Sequence, residues 1–174
     1  MRFFYDCEFI EDGRTIELVS IGVVDETGRE FYAVSTEFDP AAAIDWVRRH
    51  VLNQLPSPAD KAWRSRAAIR DDLFAFLTAP GEPIELWAWL AGYDHVVLAQ
   101  LWGDMRALPR QIPRFTHELR QHWEAAGSPA LPPSPPDAHD ALADARHNLA
   151  KWRTISAVLS DSGAEPLGSL AVDD

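Results

Sequence analysis

Asp6 and Glu8 are the first residues whose types and spacing can do chemistry. They stand two apart in the run RFFYDCEF, within a segment over residues 1–9 that reads as a β-strand. Side chains alternate across a strand, so both carboxylates project from one face. Phe3, Tyr5, Cys7 and Phe9 then take the other face, which also points the Cys7 thiol away from the acids. Crowded carboxylates repel one another and are relieved by solvent or by a bound cation. Asp94 follows an apolar run at 84–90 and stands near a helix start, where an acid also suits the helix dipole. His139 and Asp144 lie where the proline-rich stretch SPALPPSPP runs into a helical segment. Asp140 is four residues before Asp144 and shares its helix face, so either can serve as a ligand, and Asp140 equally suits first-turn charge compensation. Each group by itself has an ordinary explanation: a solvated strand edge, a helix-start acid, a surface histidine. Together they offer carboxylate oxygens of the kind Mg²⁺ and Mn²⁺ prefer, beside an imidazole able to accept a proton.

The order of these groups carries more than any one of them. Asp6-Cys7-Glu8 on the first strand, Tyr93-Asp94 after the fourth, and His139-x4-Asp144 at the last helix resemble the DEDDh 3′-5′ exonucleases, a family that includes oligoribonuclease, ribonuclease T and proofreading exonucleases. The likeness runs over about residues 1–159 and is greatest to the actinobacterial 3′-5′ exoribonucleases. It departs after Glu8, where many members continue Thr-Thr-Gly and this chain reads Phe9-Ile10-Glu11-Asp12-Gly13. The resemblance implies a ribonuclease H-like α/β fold with a mixed sheet of about five strands flanked by helices. It also implies a two-metal hydrolysis of RNA from the 3′ end that releases nucleoside 5′-monophosphates. Asp6, Glu8 and Asp144 would hold the ion that activates water, and Asp6 would bridge to a second ion that Asp94 helps to hold. The ions would be Mg²⁺, with Mn²⁺ able to substitute. His139 would be the general base, and the protein a homodimer. Expected substrate contacts are the Cys7 backbone, Phe9, Ser20 on the neighbouring strand, Trp87 and His139. A DNA-directed exonuclease or a short-oligonucleotide phosphodiesterase would use the same metals. A non-catalytic nucleic-acid-binding module is disfavoured, because all five positions are present.

The elements that must position these residues can be read in outline. Residues 16–24 and 30–36 are apolar, β-branched runs separated by turn signals, so the chain opens as an antiparallel meander. Residues 41–55 read as a helix. A second helix is expected to start at Ser57-Pro58 and run to Thr78, with Ile69, Leu73 and Phe76 on one face. Residues 84–90 read as a buried strand, 92–102 and 114–126 as helices, and 138–159 as a long final helix. The fifth strand has no clear signal, and 112–115 is its candidate. Residues 160–174 read as a flexible tail beyond a single domain over 1–159.

Composition narrows the function. The chain has 174 residues and a formal net charge of −11, which argues against a duplex-coating protein that draws its affinity from many Lys and Arg contacts to phosphates. It is compatible with a short site in which carboxylates loaded with metal present local positive charge. The single cysteine cannot form an internal disulfide, and the opening MRFFYD reaches an acid too soon for a secretory signal, so a cytoplasmic setting without membrane attachment is expected.

Overall fold

The computed structural model describes residues 1–104 and 106–161. Along the chain the elements are β1 (Arg2–Glu11), β2 (Ile16–Asp25), β3 (Glu30–Ser35), α1 (Asp45–His50), β4 (Trp63–Arg64), α2 (Arg66–Thr78), β5 (Glu85–Ala88), α3 (Gly92–Gln100), β6 (His117–Glu118), α4 (Leu119–Ala125) and α5 (Ala141–Asp161). The strands form one sheet in the order β4-β3-β2-β1-β5-β6. The meander β1-β2-β3 is antiparallel, as its turn signals predict, while β4, β5 and β6 join in parallel. Among the described residues the sheet has six strands, close to the five or so expected. The added edge strands are two residues each, too short to carry any periodicity. Residues 112–115 are not a strand; pairing begins just beyond them, at His117.

Helices cover both faces. On one, Ile69, Leu73 and Leu77 of α2 and Val97 and Leu98 of α3 pack with Phe3, Tyr5, Cys7 and Ile21. On the other, Ala145 and Leu149 of α5 and Leu119 of α4 pack with Phe4, Val24 and Trp87. The alternation read from β1 is thus real: Phe3, Tyr5 and Cys7 belong to one core, and the opposite face is left to α5.

Three helix boundaries differ from expectation, and each has a local cause. Residues 41–55 do not make one helix. A 3-10 turn at Pro40–Ala42, capped by the Asp39 carboxylate, ends with Ala43 in extended geometry before α1 starts. The second helix begins at Arg66, not Ser57. Ser65 caps it by accepting the Ala68 N–H at 3.2 Å, and the preceding residues form a turn held by Asp60 and then β4. The helix expected over 114–126 is shortened to α4, because β6 pairs first and Glu118 then caps α4. The tail expected from residue 160 lies outside the described residues beyond Asp161.

Candidate active site

The site is built where β1, α3 and α5 meet. Asp6 on β1 pairs with Gly22 on β2. A Cβ at Gly22 would stand 2.3 Å from the Ala141 carbonyl oxygen, so only glycine lets the first turn of α5 rest on the sheet at that point. That close approach brings Asp144 next to the strand acids. Asp140 caps the same helix by accepting the Ala143 N–H at 2.9 Å, whereas Asp144 lines the cavity. Geometry thus separates two acids that sequence spacing left equivalent. Just upstream, His139 adopts φ +71°, a left-handed conformation uncommon outside glycine. It is fixed there by donating its N–H to Asp144 Oδ2 at 2.7 Å.

Asp94 sits in the first turn of α3, which follows β5 through a tight turn. Leu90 there has φ +60°, and the N–H groups of Leu90 and Ala91 both donate to the Glu118 carboxylate at 2.9 and 2.8 Å. Glu118 is therefore the clamp that aims Asp94 at β1. Asp94 Oδ1 accepts the Cys7 N–H at 2.8 Å, which ties the two elements together.

Asp6, Glu8, Asp94, His139 and Asp144 all line one cavity of about 550 Å³. Burial pushes the Asp6 carboxyl well above the usual carboxylate range, and the neighbouring Asp94, Glu8 and Asp144 push it further. Glu8 rises to about 8, first through burial and then through Asp144, Asp94 and Asp140. Asp94 also rises, mainly through burial, against the lowering effect of the Cys7 N–H. Lys151 opposes this at Asp6, but it is the last and smallest of the influences there, so the acids remain short of positive charge. A divalent cation fits that deficit: Glu8, His139 and Asp144 each offer a ligand atom, all within 4.8 Å of one another. Carboxylate-rich oxygen donors suit hard ions.

The remaining expected contacts divide. Phe9 lines the cavity and stacks on Tyr93, with ring centroids 5.6 Å apart and 14° between planes. Cys7 lines it as well, though its side chain is buried. Ser20 is buried opposite Glu8 and is not among the lining residues. Trp87 is 1% exposed, stacked on His117 inside the sheet's core, and does not reach the cavity. Trp89, two residues on, does. Arg146 and His147, which come after Asp144, turn elsewhere: Arg146 makes a two-pronged pair with Glu30, and the His147 ring meets the Pro132 carbonyl.

Sequence reading missed three groups. Glu118 gave no signal, since its partners are distant in sequence. Ile44 and Trp46, both exposed, form an outer wall from the broken helix region, and the Trp46 ring lies 4.8 Å from that of His139. Asn148 and Lys151 also line the cavity. They succeed Asp144 at helical spacing, a signal that was available. Lys151 is partly buried, which lowers its pKa, while Asp144 and Asp6 act to hold its charge.

The chain is similar to known proteins both in fold and in sequence. Two solved structures share the fold at low identity. Escherichia coli exonuclease I in complex with a dT13 oligonucleotide matches at TM-score 0.61 and 14% identity, over 93% of this chain and 42% of that one. The nuclease domain of 3′hExo, a DEDDh family member bound to rAMP, matches at TM-score 0.54 and 13% identity, over 95% and 94%. The fold is thus ribonuclease H-like, as the resemblance implied. At the level of sequence, the 3′-5′ exoribonuclease Rv2179c of Mycobacterium tuberculosis is 62% identical over 164 residues, covering 94% of this chain and 97% of that protein. The model of the 3′-5′ exoribonuclease Rv2179c-like domain matches residues 1–156, which include every acid of the cavity and His139, and the chain belongs to that family.

Proposed function

We propose that the chain, a 3′-5′ exoribonuclease by family, hydrolyses RNA from single-stranded or overhanging 3′ ends by a two-metal mechanism within one domain over residues 1–159. The observation that carries this reading is the convergence of Asp6, Glu8, Asp94, Asp144 and His139 on one cavity, with the carboxylates of Asp6, Glu8 and Asp94 short of positive charge. Asp6, Glu8 and Asp144 would hold one divalent ion, and Asp94, with Asp6, would help to hold the other. Mg²⁺ is the expected ion, with Mn²⁺ able to substitute. When bound, the pair lowers the pKa of a water and neutralises charge on the phosphate.

The protein's own groups do the rest. His139 takes the proton of the attacking water. Its closeness to Glu8 and Asp144 would also let it ligate an ion, but Mg²⁺ favours oxygen donors, and a base is what the reaction otherwise lacks. The Phe9–Tyr93 stack gives the terminal nucleotide an aromatic floor, and the Cys7 backbone passes beside it. The bond to the penultimate 3′ oxygen breaks, and a nucleoside 5′-monophosphate leaves. No helix among the described residues is long and apolar enough to cross a membrane, and a cytoplasmic homodimer completes the proposal.

The test is Asp6→Ala. It should abolish metal-dependent release of nucleotides while the protein stays folded, because removing one crowded carboxylate relieves repulsion. Unchanged turnover would refute the site.

A further inference from the structure

We propose that Lys151 contacts the leaving oxygen of the scissile phosphodiester and stabilises the ribose 3′-alkoxide as that bond breaks. Among the described residues lining the acid-bearing cavity, Lys151 is the only lysine or arginine. Its ammonium is held in place. Nζ donates to Asn148 Oδ1 at 3.1 Å, Asn148 Nδ2 donates to the Tyr5 carbonyl on β1 at 3.0 Å, and Nζ lies 4.5 Å from the centre of the Trp89 ring. Among the described residues it has no carboxylate within ion-pair distance. An ammonium has three donors, and Asn148 takes one, so the others are available to an oxygen in the cavity. A structural lysine would be expected to close an ion pair. This one is braced by a neutral amide and an aromatic face.

Its place along α5 gives the side of the phosphate it serves. The helix passes over β2 at Gly22, over β1 at Tyr5, and then beside Trp89 just after β5. His139 stands before the helix and Asp144 in its first turn. Lys151 lies about two turns beyond Asp144, roughly 10 Å further along the axis. Its charge acts on Asp6 and Asp144. An in-line displacement puts the attacking water and the leaving oxygen on opposite sides of phosphorus. This inference rests on the proposed function: with the water at the His139 end, the Lys151 end receives the leaving oxygen. The water oxygen bonds to phosphorus and its proton passes to His139. The P–O3′ bond breaks with its electron pair on O3′, and Lys151 donates a hydrogen bond to that oxygen until solvent protonates it. A fixed donor aimed at developing charge in a partly dry site is the arrangement that lowers such barriers.

The experiment compares wild type, Lys151→Met and Lys151→Arg in Mg²⁺ on a short RNA and on the p-nitrophenyl ester of a nucleoside 5′-monophosphate. The ester presents the same phosphate but a leaving phenolate that is a much weaker base than an alkoxide. Lys151→Met should lower kcat on RNA on the order of 10²-fold and on the ester by no more than about threefold, since a good leaving group needs little help. Lys151→Arg should recover much of the RNA rate. Mn²⁺ binding by calorimetry should be no weaker in Lys151→Met than in wild type, because the ammonium is not a ligand and its charge opposes a cation. Equal losses on both substrates, a loss confined to KM, or weakened Mn²⁺ binding would each overturn the role. A wild type that releases nothing from RNA would overturn the parent reading and this one together; an active wild type with an equally active Lys151→Met variant overturns this one alone.

Discussion

His139 combines three facts that bear on one function: a left-handed backbone, an N–H donated to Asp144, and a ring near Glu8 and Asp144. In the proposed role of base, it should be dispensable for metal affinity. His139→Ala should bind Mn²⁺ normally in calorimetry while kcat falls by roughly 10²–10⁴, and lost binding would make it a ligand instead. The acids make a second prediction. Glu8 has its folded pKa raised to about 8, and Asp6 and Asp94 are raised too. An acid whose folded pKa exceeds its unfolded value stabilises the fold at low pH and loses that contribution as pH rises through the folded pKa. The metal-free protein should therefore lose thermal stability as pH climbs from the ordinary carboxylate range to about 8. Saturating Mg²⁺ should flatten the curve, and Glu8→Gln should raise the metal-free Tm at the alkaline end. Thermal melts with EDTA and with Mg²⁺ read this directly; identical pH profiles in the two would contradict it.

At the scale of elements, the site depends on how closely α5 can sit on the sheet. Gly22→Ala places a methyl group against the Ala141 backbone, which has no rotamer with which to yield. It should cost roughly 1–3 kcal/mol of stability in urea unfolding, and it should lower activity in the folded fraction because Asp144 rides on that turn. The elements were legible in the sequence to the degree that they carry a long pattern. β1, β2, β3 and β5 have apolar runs, and α5 comes after a strong loop signal, so the acids they bear could be placed. Two-residue strands have no period, which hid β4 and β6. Hiding β6 also hid Glu118, whose carboxylate holds the turn before Asp94. Trp87 and Trp89 both lie in the run IELWAWL, and strand alternation gives them the same face. Their difference in reach comes from where β5 ends: Trp87 is inside it and Trp89 just past it.

At the scale of the whole molecule, a chain of net charge −11 must attract a polyanion. The negative charge gathered in the cavity is the part that metal can reverse, so binding of RNA should depend on divalent ions more than on surface lysines. The surface also carries exposed apolar groups on and beside α3: Val96 at 46% and Phe115 at 54%, the latter next to the Thr116 hydroxyl that meets the His95 ring. The proposed homodimer, if it covers them, should show twice the chain mass in sedimentation equilibrium, and a monomer at micromolar concentration would refute it. Directional hydrolysis of RNA by this cavity can be read in a single assay. Matched RNA and DNA oligomers labelled at the 5′ end are incubated with the protein in Mg²⁺, and both the shortened strands and the released nucleotides are identified. RNA should be shortened stepwise from its 3′ end with nucleoside 5′-monophosphates as product and DNA turned over more slowly, and none of this should occur with EDTA or in Asp6→Ala. DNA consumed in preference to RNA, internal cleavage, or release that persists without divalent metal would contradict it.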